Sequence, residues 1–312
     1  MSCKNLNTAR SVRNDEFYTR FDDIRLELEN YAGQFAGKTV YCNCDSVSFA
    51  FWHYFHKHFT ELGLNGLIAT CYGGEACEAV YNGGDDDDTM VFDKIELGGN
   101  GDFRSSECIE ILKSCDIVVT NPPFSLFREY IAQLVEYDRK FLIIGNKNAV
   151  TYKEVFPLMR DNKIWLGCNN VKEFLQPDMS IKKFGNIGWF TNLDIKKRHE
   201  KLVLDKCYSR LMYPKFDNYE GISVSRVKDI PCDYDGIMGV LVTYLEKHNP
   251  EQFRILGITC RNYSPEYRKK FYDKADYDKA DYDNANTLNG SVCILVNGKP
   301  KMLYCRLLIR RI

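Results

Sequence analysis

The stretch Cys115-Asp116-Ile117-Val118-Val119-Thr120-Asn121-Pro122-Pro123-Phe124 restricts what this chain can fold into more than any other. Its apolar run reads as a strand, and two prolines end it. Proline has no N–H to give to a sheet ladder, so a central strand cannot continue through them. The chain must leave the sheet at the strand's carboxyl end, where open α/β folds bind their ligands. Each proline also fixes φ, so the side chains and carbonyls of this turn are rigidly posed.

The flanking pattern supplies the rest of such a sheet. Apolar residues at Phe21, Ile24, Leu28, Tyr31 and Phe35 predict an amphipathic helix ending at Gly37. Lys38 to Cys42 reads as the first strand, Phe49 to Leu62 as an aromatic-rich helix and Leu67 to Cys71 as the second strand. A hairpin is predicted from Ala76 to Tyr81 and Thr89 to Phe92, around Asn82-Gly83-Gly84 and Asp85 to Asp88. Ser106 to Lys113 and Leu126 to Tyr137 read as helices, and Lys140 to Gly145 as a strand. Alternation at this spacing indicates a mainly parallel sheet covered on both faces. Beyond about residue 160 short strands follow, at Lys163 to Leu166, Ile187 to Thr191 and Ile222 to Val224, predicting an antiparallel edge and then a separate C-terminal module. Tyr272 to Asn286 holds three near-copies of Tyr-Asp-Lys-Ala-Asp, too few for a solenoid and read as a loop. Val292 to Val296, Asn297-Gly298 and Met302 to Ile309 predict a final hairpin.

Charge is unevenly spread along the 312 residues although the net is −1. Gly73 to Asp93 carries seven acids and no Lys or Arg, whereas Lys163 to Lys215 carries eleven basic residues against five acids. A polyanion is drawn to the second region and repelled by the first; two solvated faces are the plainer reading of the same counts. Thirteen cysteines, none in a C-x-x-C pair, argue against a zinc ribbon and against a disulfide framework. With no apolar run long enough for a membrane span and no signal-like N-terminus, the expectation is a cytoplasmic protein with reduced thiols.

The turn suits one chemical problem. An aromatic amine is a poor nucleophile because its lone pair is delocalised into the ring. If the Asn121 side-chain oxygen and the Pro122 carbonyl each accept one N–H, the nitrogen pyramidalises and its lone pair turns toward an electrophile. The positive charge that develops is stabilised by preorganised dipoles. Pro123 fixes the turn, and Phe124 offers a ring on which a flipped base stacks. The alternative is an ordinary strand-exit turn, since Asn-Pro is a common turn dipeptide.

Thr120 to Phe124 resembles the (N/D)-P-P-(Y/F) motif of amino-methyltransferases, and Asn14 to Thr19 resembles their N-terminal cofactor motif. Tyr41 to Asp45, Gly101 to Ser105 and Asp233 to Val240 resemble, in the same order, segments of the EcoRI-type adenine-specific DNA methyltransferases. The likeness runs over most of the chain and is weakest in the acidic hairpin and the Tyr-Asp-Lys repeat. It implies a Rossmann-like S-adenosylmethionine-dependent domain over residues 1–200 and a DNA-recognition region over 201–312. It places Tyr18 and Thr19 at the methionine end of the cofactor, and Asn43, Cys44 and Asp45 at its amino acid moiety. Cys71 and Tyr72 fall at the ribose and adenine, and Asp102 and Phe103 at the adenine. Two departures stand out: no Gly-rich loop follows the first strand, and no carboxylate ends the second.

Arg10, Arg13, Lys182, Lys183, Lys196, Lys197 and Arg198 are the candidates for phosphate contact, with Arg306, Arg310 and Arg311 after them. His53, His56 and His58 sit among aromatic residues and read as a packed helix rather than a metal site; Asp85 to Asp88 read as a solvated turn. Phe190 reads equally as base-stacking or core. The resulting expectation is site-specific methylation of adenine N6 in double-stranded DNA from S-adenosylmethionine, for restriction-modification or epigenetic marking, with no obligate protein partner. Two rivals remain at this point: methylation of RNA adenine or another planar amine, and a DNA-binding module with a vestigial site.

Overall fold

The computed structural model describes residues 17–45, 49–73, 75–81, 90–176, 178, 180–260, 263–271 and 292–312. Arg10, Arg13, the Asp85 to Asp88 run and the Tyr272 to Asn286 repeat lie outside them. The chain forms two compact units, one of Met1–Val155 with Ile164–Ile195 and one of Phe156–Lys163 with Lys196–Ile312. No helix among the described residues is long and apolar enough to cross a membrane.

The first unit is built on a nine-stranded sheet. Its strands are β1 (Tyr18–Thr19), β2 (Thr39–Asn43), β3 (Gly66–Thr70), β4 (Glu75–Tyr81), β5 (Met90–Glu96), β6 (Ile117–Thr120), β7 (Lys140–Asn146), β8 (Trp165–Leu175) and β9 (Ile181–Thr191). They lie in the order β1-β8-β9-β7-β6-β2-β3-β4-β5. The four central strands β7, β6, β2 and β3 are parallel. Antiparallel strands flank them on both sides, not on one edge alone. The sheet is therefore mixed rather than mainly parallel. The reason is local: β4–β5 and β8–β9 are hairpins, and a hairpin extends a sheet without a crossover helix.

The helices of this unit are α1 (Phe21–Leu28), α2 (Ala50–Lys57), α3 (Phe59–Leu62), α4 (Ser106–Ser114) and α5 (Phe127–Glu136). The first is shorter than the Phe21 to Phe35 pattern predicts. The Asn30 amide donates to the carbonyls of Leu26 and Glu27 and so satisfies groups that a further α-turn would bond, and the chain continues as a 3₁₀ turn over Glu29–Tyr31. The second predicted helix breaks at His58 into α2 and α3. Ser105 caps α4, its hydroxyl accepting from the Cys108 N–H at 3.2 Å.

Alternation along the strands sorts the core. Ile24 and Leu28 of α1 and Phe51, Trp52, Tyr54 and Phe55 of α2 pack with Val40, Cys42, Ile117, Val119, Leu142 and Ile144 on one face of the sheet. Tyr41, Thr70 and Val118 belong to the opposite face, where the Tyr41 hydroxyl meets Thr70 Oγ1 at 2.7 Å and α4 brings Cys108 against it. On β7, Gly145 admits the Phe127 ring of α5 so closely that a Cβ there would lie 2.4 Å from it. Phe190, fully buried, packs on Phe127 at 5.1 Å and is a core residue.

Strand β8 shows how a helix is fixed to the sheet. The β8–β9 register slips between Leu166 and Asn170, leaving a bulge. The N–H groups of Cys168 and Asn169 donate instead to the carboxylate of Glu27 on α1, at 2.8 and 2.7 Å. The Tyr31 hydroxyl and the Asn169 amide add bonds of 2.8 and 3.0 Å, so this fully buried carboxylate is saturated with donors. Gly167 is required beside it, because a Cβ there would come 2.2 Å from Glu27 Oε1.

The second unit holds a four-stranded sheet in the order β10-β11-β15-β12, from β10 (Ile222–Ser223), β11 (Met238–Leu241), β12 (Phe253–Ile258) and β15 (Arg306–Arg311). A separate ribbon pairs β13 (Cys293–Val296) with β14 (Lys299–Met302). The turn Asn297-Gly298 is as the sequence predicts, with φ of 52° and 80°. The second arm is not. The Met302 to Ile309 run splits, because the two-residue turn pairs Val296 directly with Lys299. Leu307, Leu308 and Ile309, fully buried, run instead in an interior strand between β11 and β12. Arg306 is buried with them, while Arg310 and Arg311 are exposed.

Candidate active site

Strand β2 has β3 on one side and β6 on the other, all parallel, so the chain reverses direction of travel across the sheet beside β2. At such a reversal the loops leave the carboxyl ends in opposite directions and open a crevice. Asn43 ends β2 with Cys44-Asp45 just beyond it, and Thr120 ends β6 with Asn121 next. The Thr120 hydroxyl donates to the Asn43 carbonyl and clasps the two strand ends just where their ladder stops. Cys44 stands at φ 67°, a left-handed conformation that an L-residue adopts at a cost of about 1–2 kcal/mol. It turns the chain out of β2 where a Gly-rich loop is absent.

Asn121 Nδ2 donates to the Phe17 carbonyl at 2.7 Å, from a residue 104 positions earlier. That bond settles which way the amide faces. Among the described residues its Oδ1 is buried without a hydrogen-bond partner, as are Thr19 Oγ1 and Asn43 Nδ2. Buried polar atoms left unpaired cost about 1–3 kcal/mol each, which marks them as sites for a ligand's groups. Pro122 and Pro123 follow, and Phe124 begins a 3₁₀ turn leading into α5.

Phe124 stands in a cluster of rings from three segments. Phe17 lies 6.2 Å from it and near parallel, with Phe174 at 6.1 Å and Phe184 at 6.3 Å, both edge-on. Lys182 holds its ammonium 4.6 Å from the centre of the Phe17 ring and 5.5 Å from that of Phe184. Tyr18 stacks on Phe49 at 4.3 Å, and Thr19 pairs with Phe174 in the β1–β8 ladder. Phe174 and Phe184 escape a reading of the sequence, Phe184 standing alone among lysines and a glycine; Phe17 lies within the Asn14 to Thr19 segment, but nothing there singles it out.

A second group lies along the loop after β3. The Gly73 N–H donates to the Asn100 carbonyl at 2.8 Å, tying Cys71-Tyr72 to the loop that carries Asp102 and Phe103. Tyr72 is exposed. The Asp102 carboxylate takes three bonds from Arg104, and this guanidinium holds its pKa below the ordinary carboxylate value. Phe103 is sunk edge-on against Tyr130 at 5.0 Å, with the Arg104 guanidinium over it. Burial pushes the Cys44 thiol well up, with further upward contributions from Cys108, Asp45, Asp102 and Cys71. The Cys42 thiol is likewise raised by burial. A thiol raised in this way is held away from its thiolate form.

The basic candidates separate. Lys182 reaches the ring cluster. Lys183 bonds Glu173, which also takes Arg20. In the other unit, Lys196, Lys197 and Arg198 form a short 3₁₀ turn, and Arg198 is turned toward Asn162 Oδ1 at 3.0 Å. The histidines of α2 do not gather: His58 bonds Glu61, and His56 stacks on Trp52.

The family model described as the adenine-specific methyltransferase EcoRI matches residues 5–312. The chain is 46% identical to the Type II methyltransferase M.EcoRI of Escherichia coli, with 81% of this chain and 88% of that protein covered. It is 37% identical to the Type II methyltransferase M.MpnI of Mycoplasma pneumoniae, covering 83% and 86%, and 36% identical to M.MgeORF184P of Mycoplasma genitalium, covering 83% and 87%. No solved structure matches. With the match spanning nearly every residue around a strand-end Asn-Pro-Pro-Phe turn, the chain belongs to the EcoRI family of adenine-specific methyltransferases.

Proposed function

We propose that this methyltransferase modifies N6 of an adenine within a specific double-stranded DNA sequence, the modifying half of a Type II restriction-modification pair. The observation that carries the reading is Asn121. Its Nδ2 is committed to the Phe17 carbonyl, so its Oδ1, without a partner among the described residues, is left to accept from an amino group. With the Pro122 carbonyl as second acceptor, the amine nitrogen is held pyramidal and its lone pair is freed. Phe124 flanks the everted base.

The residues fit S-adenosylmethionine by chemistry. Thr19 Oγ1 accepts from an ammonium and Asn43 Nδ2 donates to a carboxylate, which are the two charged groups of its methionine end. Cys71, Tyr72, Asp102 and Phe103 take the adenosine end, with Cys44 and Asp45 between. Bound there, the cofactor supplies an electrophilic methyl group on a sulfonium. The chain's own residues orient the amine and exclude water. No side chain of tuned pKa is needed, in keeping with the protonated thiols at the strand ends.

The parallel core β3-β2-β6-β7, with its reversal beside β2, supports a Rossmann-like catalytic domain. The second unit is assigned to target recognition. Residues 292–312 hold five basic residues and no acid. Lys299 and Lys301 are exposed on a two-stranded ribbon, an element the major groove admits. Joint replacement of Lys299 and Lys301 by alanine is expected to flatten the salt dependence of DNA binding by about two counterions, measured as the slope of log affinity against log salt. The function itself is tested by incubating duplex DNA with protein and S-adenosylmethionine and analysing the nucleosides by mass. N6-methyladenosine in RNA only, or N4-methylcytosine, sinks the reading.

A further inference from the structure

Outside the catalytic crevice, one cluster in the second unit has the donor set of a metal site. Sγ of Cys207, Sγ of Cys232 and a carboxylate oxygen of Asp233 lie within 4.8 Å of one another. They are no accident of loose side chains, because the backbone registers the two segments. Lys206 and Pro231 form a parallel bridge, and the Cys232 N–H donates to the Lys206 carbonyl at 2.8 Å. The Tyr208 N–H donates to Asp233 Oδ1 at 2.6 Å and fixes the carboxylate, the outer support that metal ligands ordinarily have. Arg311 donates to the Cys232 carbonyl. The Tyr208 ring stacks on Tyr213 at 5.9 Å and meets Tyr234 tilted at 4.7 Å, which packs this segment in place.

We propose that Cys207, Cys232 and Asp233 bind a thiophilic divalent cation of the zinc type, with a water as fourth ligand. Two sulfurs select against magnesium and calcium. Zinc–sulfur bonds of about 2.3 Å and zinc–oxygen bonds of about 2.0–2.2 Å need the three atoms to close by only about an ångström. Cys207 and Asp233 are exposed, so an ion has direct access and a water can complete a tetrahedron. Binding releases the two thiol protons to solvent. The ion clips residues 206–208 to 231–233 and closes the intervening loop, a structural role separate from methyl transfer.

The test uses full-length, reduced, chelator-treated protein titrated with Co²⁺ alone. One equivalent is expected to raise a near-ultraviolet sulfur-to-cobalt band together with the intense visible bands of a four-coordinate ion, and Zn²⁺ is expected to displace it. Cys207→Ser and Cys232→Ser lose the band, and Asp233→Asn keeps it at affinity reduced at least tenfold. X-ray absorption of the wild-type zinc form, expected to count two sulfurs, holds the test even if a variant misfolds. Absence of a sulfur band at one equivalent overturns the proposal. So does an undiminished band in Cys207→Ser, which assigns the metal to other thiols such as Cys260 and Cys305.

Discussion

Asn121→Ala is expected to lower the methyl-transfer rate by about 10²–10³-fold while S-adenosylmethionine still binds, since one preorganised dipole at a charge-developing atom is worth about 2.7–4 kcal/mol. Single-turnover methylation of a target duplex, beside calorimetry of cofactor binding, measures both. The sharper variant is Asn121→Asp. The family motif tolerates Asn or Asp at this place, but here the Asn121 amide donates to the Phe17 carbonyl. A carboxylate has nothing to donate, and one of its oxygens would face that carbonyl oxygen. Asn121→Asp should therefore lose at least about tenfold in rate, despite keeping an acceptor of the right kind. Full activity in it would show that the proposed role of the Phe17 bond in orienting the Asn121 amide is wrong.

The second large effect lies outside the Asn-Pro-Pro-Phe turn. Glu27→Ala removes the acceptor of two part-buried backbone N–H groups and of the buried Tyr31 hydroxyl at once. At about 1–3 kcal/mol for each stranded donor, the loss is expected to reach at least about 3 kcal/mol in denaturant unfolding. Glu27→Gln keeps one acceptor but turns an NH₂ toward the other donors, so it falls between. The pH dependence has a definite sign. Burial holds the Glu27 carboxyl above its ordinary value of 4.5, against the pull of its hydrogen bonds. A group raised on folding contributes fully below its unfolded value, and the contribution declines as pH rises through the folded one. The stability gap between wild type and Glu27→Gln should thus be widest at the acid end and narrow toward neutrality. A gap that widens with pH contradicts the raised value.

Much of the catalytic half was legible because local rules dictate it. Two prolines after Ile117 to Thr120 must end a strand, and the run Lys38 to Cys42 reads as a strand by its own residues. The strand-end positions of Asn43 and Asn121 follow from those two facts. What stayed hidden depends on pairing between distant segments. The β8 strand runs far beyond the apolar Lys163 to Leu166 because its bulge is satisfied by Glu27, and nothing in Cys168-Asn169-Asn170 announces that. The ring cluster at Phe124 joins residues 17, 174 and 184, which no local pattern connects. The Met302 to Ile309 arm departs from the predicted hairpin for a similar reason: its apolar run belongs to an interior strand whose partners lie some 50 to 70 residues earlier.

The two-residue strand β1 pairs with β8 across more than 150 residues, and Phe17 beside it supplies the carbonyl that sets Asn121. Long-range pairings of this kind close late, because their loop entropy must be overcome before any contact rewards it. The parallel core has every strand it needs by Asn146, whereas the oriented amide needs the far hairpin and the leading segment together. In refolding, catalytic competence should accordingly lag behind recovery of the far-ultraviolet signal. On the ribosome, a nascent chain should remain catalytically silent until β8 and β9 have emerged, so the host's DNA meets only finished enzyme.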